Sequence, residues 1–293
     1  MTGSPGALFC FGLGYSARVL AIALRDQGWH VAGTCRDPVR AARGHDQGIE
    51  IHCFTADQPL AQVRTVLAGF DHLLISVPPD EHGDPVLRAH EADLVAQPWR
   101  WAGYLSTTGV YGDRGGGWVD ETATLMPSGR RGRQRVDAEA AWLRLGQTPG
   151  LPVHLFRLAG IYGPGRSALD SVRAGSARRV DKPGQVFSRI HVDDIAAVLQ
   201  ASIARPNPGA IYNVCDDTPS APAEVIAYAC GLLGREPPPL IPFADAALSP
   251  MARSFYDDNK RVDNTRIKTE LGVRLRHVDY RSGLQAQLTA EQG

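Results

Sequence analysis

Apolar positions alternate between two textures over the N-terminal part of the chain. Ala7–Phe11, His30–Cys35, Ile49–Phe54 and His72–Val77 are short, nearly continuous apolar runs. Their length and density suit strands buried on both faces of a parallel sheet. Between them, Ser16–Gln27 carries Val19, Leu20, Ala23 and Leu24 at helical spacing, and Gly28 supplies a stop. Shorter helical stretches follow at Asp37–Arg43 and Pro59–Leu67. Next come a helix at Pro85–Val95, a strand at Gly103–Ser106, a helix at Asp137–Leu145 and a strand at Leu151–Leu158. Parallel strands need helical crossovers, so this alternation predicts an α/β fold with a doubly wound parallel sheet.

Past Gly165 the alternation weakens, and Pro183-Gly184, Pro206-Asn207-Pro208-Gly209 and Glu236-Pro237-Pro238-Pro239 mark loops. A strand at Ala210–Val214 and a helix at Ala223–Leu233 remain legible. The expected division is a main domain over 1–165 and a C-terminal part over 166–293. Of the latter, 191–216 returns to the sheet and the rest forms a small cap.

Charge narrows the classes of function. Lys and Arg number 31, as do Asp and Glu, so there is no net field to draw nucleic acid or an anionic membrane. The cluster Arg130, Arg131, Arg133 and Arg135 lacks interleaved aromatics and reads as a helix face rather than a nucleic-acid patch. No apolar stretch nears the ~18–20 residues of a membrane span. Met1–Pro5 lacks the basic start of a signal peptide. Five cysteines without a CxxC pair suit reduced thiols, so a cytoplasmic protein is expected, as monomer or homodimer. His30, His52 and His72 are scattered, and no His/Cys/Asp spacing suggests a metal site.

The clearest chemical signal lies between the first strand and the first helix. Gly12-Leu13-Gly14-Tyr15-Ser16-Ala17 is GxGxxA. Its first glycine permits the tight turn, its second admits a diphosphate to the backbone, and Ala17 lets helix and strand pack closely. The helix N-terminus adds N–H donors and partial positive charge. This predicts dinucleotide binding. At the end of the second strand stand Arg36 and Asp37. A guanidinium grips a ribose 2′-phosphate, which favours NADP, whereas an acid at that place would accept the 2′-hydroxyl of NAD. Arg36 is the expected anchor, and Asp37 keeps NAD open.

Together with later motifs, these residues resemble the extended short-chain dehydrogenase/reductase superfamily, the NAD(P)-dependent epimerase/dehydratase group, over nearly the whole chain. Leu105-Ser106-Thr107-Thr108-Gly109-Val110-Tyr111-Gly112-Asp113 resembles the family's Ser/Thr strand followed by VYG. Phe156–Gly165 resembles the loop that closes over the nicotinamide, and Arg189–Ala196 the HVDD segment. The resemblance implies a Rossmann domain with a substrate cap. It also implies cofactor contacts from Gly12, Gly14, Tyr15, Ser16, Ala17, Arg36, Asp57, Val77, Ser106, Arg135, Ala159 and Ile161. Asp57 would be the adenine-side acid, or else a helix N-cap.

Two departures are plain. Phe11 stands where the family's GxxGxxG has its first glycine, and the YxxxK pair is absent. Aligned on the trailing acid, Arg131 holds the tyrosine position and Arg135 the lysine position. Arginine keeps its proton in proteins, so it cannot act as the acid or base. Thr107 is the expected hydroxyl toward a substrate carbonyl. Tyr111 and Tyr162 could supply a replacement acid or could simply pack. His191 titrates near neutrality in isolation but is expected to be structural, and Asp193-Asp194 to cap a helix. The catalytic candidates are therefore Thr107, Tyr111, Arg131 and Arg135. They fit an oxidoreductase-like protein acting on an anionic or nucleotide-linked carbonyl or alcohol, or else a catalytically silent dinucleotide-binding module.

Overall fold

The computed structural model describes residues 5–147 and 150–292. The strands of its main sheet are β1 (Ala7–Phe11), β2 (His30–Cys35), β3 (His45–Asp46), β4 (Ile49–Cys53), β5 (His72–Ile75), β6 (Trp101–Thr107), β7 (Val153–Leu158) and β8 (Ile211–Val214). They form one eight-stranded sheet in the order β8-β7-β6-β5-β1-β2-β4-β3. β1 pairs in parallel with β2 and β5, β2 with β4, and β5 with β6. The helices α1 (Tyr15–Asp26), α2 (Pro38–Ala42), α3 (Val63–Leu67), α4 (Pro85–Val95) and α5 (Arg130–Leu145) lie between strands in the chain. This is the doubly wound α/β sheet that the alternation implies.

Two elements depart from expectation. β3 turns back antiparallel on β4, and two residues are too few to leave a periodic signal. α5 begins at Arg130 rather than Asp137, because its first two turns are polar and arginine-rich and show no apolar stripe. A Cβ on Gly132 in that first part would stand 2.7 Å from Pro127 Cβ and 3.1 Å from the Gly109 carbonyl oxygen, so only glycine permits this approach.

Contacts group the chain into two compact units, each discontinuous in sequence. One, the sheet unit, comprises 1–106, 133–157 and 196–212; the second comprises 107–132, 158–195 and 213–293. The units thus differ from continuous parts meeting at 165, because the chain leaves the sheet unit near the ends of β6, β7 and β8.

The sheet unit is built on Phe9, Phe11, Leu73, Ile75, Tyr104 and Trp142, all fully buried. Phe11, at the family's missing glycine, meets Phe9 and Phe54 edge-on with ring centroids 5.1 and 5.3 Å away. Burying each such ring stabilises the fold by roughly 1.5–3 kcal/mol. Trp142 Nε1 donates to Asp84 Oδ2 (2.9 Å), while Asp84 Oδ1 caps α4 by accepting from the Val86 and Leu87 N–H groups.

In the second unit, Gly160–Tyr162 pairs in parallel with Arg189–His191, and Trp118–Val119 with Arg261–Val262. Tyr162, Leu169, Val172, Val225, Tyr280 and Leu284 form its core. No helix among the described residues is long and apolar enough to cross a membrane.

Candidate functional site

The β1–α1 turn has the geometry its glycines predict. Gly12 sits at φ +91°, where a side chain would be strained, and its N–H donates to Thr34 Oγ1 (2.9 Å). A Cβ there would also meet Val77 Cγ2 at 3.1 Å. Gly14 is the N-cap of α1, with no side-chain oxygen on the helix end and nothing within 4 Å of a Cβ position. Backbone without an overlying side chain at a helix N-terminus is what a diphosphate needs. Tyr15 and Ser16 open the helix, and Ala17 is fully buried against the strand layer.

At the end of β2, Arg36 is exposed. Asp37 is the N-cap of α2, its Oδ1 accepting from Val39 N (2.9 Å) and Arg40 N (3.4 Å). Arg40 is committed as well: with Arg18 it grips Asp46, and the Arg18 hydrogen bond leads in holding that carboxyl down at about 2. Asp57 lies exposed in the loop after β4 and caps no helix, since α3 has Gln62 as its N-cap.

Farther along the sheet unit, Ser106 is buried. Its hydroxyl donates to Glu139 Oε1 (2.5 Å), and Glu139 in turn pairs with Arg157 (Nη2–Oε2 2.7 Å). The Ser106 hydroxyl thus belongs to an internal network. Arg135 is half-buried, and its Nη1 donates to the Leu105 carbonyl (2.9 Å) and Tyr104 Oη (3.0 Å). Neither its Nε nor its Nη2 has a hydrogen-bond partner among the described residues.

In the second unit, Thr107 Oγ1 accepts from Gly109 N (3.1 Å), which leaves its O–H proton to donate elsewhere. Tyr111 is fully buried and donates to Asn213 Oδ1 (2.7 Å). This burial and bond fit the packing alternative for Tyr111, a phenol closed off from solvent. Tyr162 is likewise buried, its hydroxyl donating to the Asp279 carbonyl (3.2 Å). Arg131 is exposed on α5, with no hydrogen bond among the described residues. Ala159 is buried and donates to the Val214 carbonyl (3.0 Å), and Ile161 pairs with Ile190. Asp194 serves a loop instead of capping its helix, accepting from Arg276 N (2.7 Å) and His277 N (3.0 Å).

This unit also holds a cavity of about 590 Å³ that sequence reading did not find. Tyr162, Arg166, Ser167, Arg178, Arg189 and Tyr280 are among its lining residues. Arg189 is mostly buried, bonding the Phe187 and Ser220 carbonyls, and burial lowers its pKa. Asp170 also lines the cavity, but its carboxylate is taken by Ser167 in a capping box. Arg166, Arg178 and Arg189 thus put three basic side chains and one acid in its lining. Its residues come from four stretches that no local pattern connects.

A UDP-glucuronic acid 4-epimerase from Bacillus cereus, solved in complex with UDP-glucuronic acid and NAD, shares this fold. The TM-score is 0.78 at 14% identity, over 98% of this chain and 99% of that one. The two chains thus share a fold. The chain is also 31% identical to Protein YeeZ of Escherichia coli (strain K12) over 284 residues, 92% of this chain and 95% of YeeZ, and it belongs to the YeeZ family. A solved, functionally unknown conserved protein from Silicibacter pomeroyi is 54% identical, with a TM-score of 0.89 over 97% of this chain and 99% of that one. No family model matches the chain.

Proposed function

We propose that this chain is an NADP-preferring oxidoreductase-like protein that acts on an anionic or nucleotide-linked carbonyl or alcohol. The bare backbone of the Gly12–Ala17 turn, with Gly14 capping α1 and open space above it, carries the proposal. Gly12, Gly14 and the start of α1 would hold the diphosphate, and Arg36 the 2′-phosphate. Arg36 is exposed while Asp37 spends its carboxylate on the cap of α2, which supports NADP over NAD. The nicotinamide group would supply the hydride chemistry. Arg135 keeps guanidinium donors for ribose hydroxyls, and Thr107 keeps an O–H for a substrate oxygen. Arg131 offers a fixed charge that stabilises an oxyanion or an anionic substrate but delivers no proton. The arginine-lined cavity supports a carboxylate- or phosphate-bearing substrate.

Calorimetric titration tests the cofactor assignment. NADP is expected to bind more tightly than NAD, and Arg36→Ala to erase about one to two decades of that preference, since a charged hydrogen bond contributes roughly 1.5–3 kcal/mol. Equal or tighter binding of NAD by the unaltered protein overturns it. A dinucleotide-binding module without turnover is the second reading, favoured by Tyr104, Tyr111 and Tyr162 all being buried. Reduction of anionic carbonyl compounds with NADPH, compared between wild type and Arg131→Tyr, separates the two.

A further inference from the structure

Apart from the glycine turn and the arginine-lined cavity, one cluster in the second unit has the composition of a metal site. His191 ends the strand Arg189–His191, Asp193 lies in the first turn of the helix Val192–Ala204, and His277 comes from the loop before the helix Tyr280–Gln292. One ligand atom from each lies within 4.8 Å of the others. Asp193 Oδ2 is 3.7 Å from His191 Nδ1 and 3.9 Å from His277 Nε2. Ligand atoms around a tetrahedral ion at about 2.0–2.2 Å stand roughly 3.4 Å apart. A shift of a few tenths of an ångström therefore closes both distances to Asp193, whose side chain is 40% exposed.

The two imidazoles are built into the interior. His191 and His277 are 3% and 4% exposed, with ring centroids 4.0 Å apart. His277 Nε2 is buried with no hydrogen-bond partner, a costly state for a polar atom unless a ligand uses it. The Nδ1 lone pair of His191 accepts a long 3.2 Å N–H from Asp193, a weak bond that an ion at this nitrogen would displace. The backbone of His277 is held independently by Asp194, so the second imidazole stays in place with or without an ion. Arg276 Nη1, 3.8 Å from Asp193 Oδ2, is the one nearby cation among the described residues that competes for this carboxylate, and its side chain is 75% exposed.

We propose that His191, Asp193 and His277 bind one divalent transition-metal ion of zinc's class, with water completing the coordination. Two imidazole nitrogens and a carboxylate oxygen are a donor set that suits such an ion. Its role is structural. The Tyr162 ring meets His191 edge-on at 5.1 Å, and its hydroxyl bonds the Asp279 carbonyl. Tyr162 and Tyr280 both line the arginine-rich cavity, so the ion would brace that wall.

The test titrates zinc chloride into tag-free, chelator-treated protein. Metal per chain is measured after desalting, and the melting temperature with and without zinc. One zinc per chain and a raised melting temperature are expected. Asp193→Asn and His277→Gln should each weaken binding by at least about tenfold, the effect of losing even an outer-shell partner. Circular dichroism checks that each variant is folded, and the exposed Asp193 side chain makes Asp193→Asn the safer of the two. Absence of binding by folded wild type overturns the proposal, as does binding that neither substitution weakens. NADP affinity is expected to be unchanged in both variants, so this site and the dinucleotide site succeed or fail by separate titrations.

Discussion

Glu139 in the sheet unit and Asp216 in the second unit are both 2% exposed, yet their surroundings differ. Glu139 is fully partnered: Arg157 donates through Nη2 (2.7 Å) and Nε (3.2 Å), and Ser106 through its hydroxyl (2.5 Å). Asp216 accepts from Thr218 N at 3.2 Å through Oδ1, and its buried Oδ2 has no hydrogen-bond partner among the described residues. Burial pushes the Asp216 carboxyl up to about 8, against the pull of the Thr218 N–H and Arg189. The sheet unit buries charge in a closed pair that holds strands and helix together. The second unit leaves a carboxyl incompletely satisfied beside Arg189, a wall of the cavity, and such perturbed groups gather where proteins do chemistry.

The contrast can be broken most forcefully at Glu139. Glu139→Ala takes the carboxylate from the buried Arg157 guanidinium and should cost about 3–5 kcal/mol, read from urea unfolding midpoints. A loss under about 1 kcal/mol would show that the pair is not the framework described here.

Asp216 sharpens the other side through pH. The unfolded carboxyl titrates near about 4, whereas the folded one keeps its proton up to about 8. Between those values the folded chain binds the extra proton, so stability falls as pH rises, by at most about 1.4 kcal/mol per pH unit. Outside that window this group adds no slope. Asp216→Asn should flatten the profile between pH 4 and 8; an unchanged slope would assign it to other groups.

The smallest effect is expected at Asp37. Asp37→Ala removes the cap of α2 and should cost about 1 kcal/mol. NADP should still bind more tightly than NAD if Arg36 sets the choice. A reversed preference would make Asp37 a cofactor residue after all.

Periodicity and turn chemistry made the sheet unit legible. Ala7–Phe11 and Pro85–Val95 fall at their expected bounds, and the glycine turn sits where GxGxxA demands, because each depends on residues adjacent in the chain. That Arg131 stands where the resembling family has a tyrosine was also visible in the sequence, through that resemblance. What stayed hidden depends on distant segments. Seven residues of α5 carry no apolar stripe, and their helix is fitted by close packing at Gly132. The Ser106 hydroxyl is held by Glu139, 33 residues on. The Tyr111 hydroxyl is held by Asn213, 102 residues away. His277 has no motif, and its meeting with His191 and Asp193 exists because Asp194 ties the 276–277 backbone to the start of a helix. Local pattern determined the strands, the helices and the phosphate turn. Burial and long-range hydrogen bonds, which tertiary packing alone creates, decided which polar groups remain free to act.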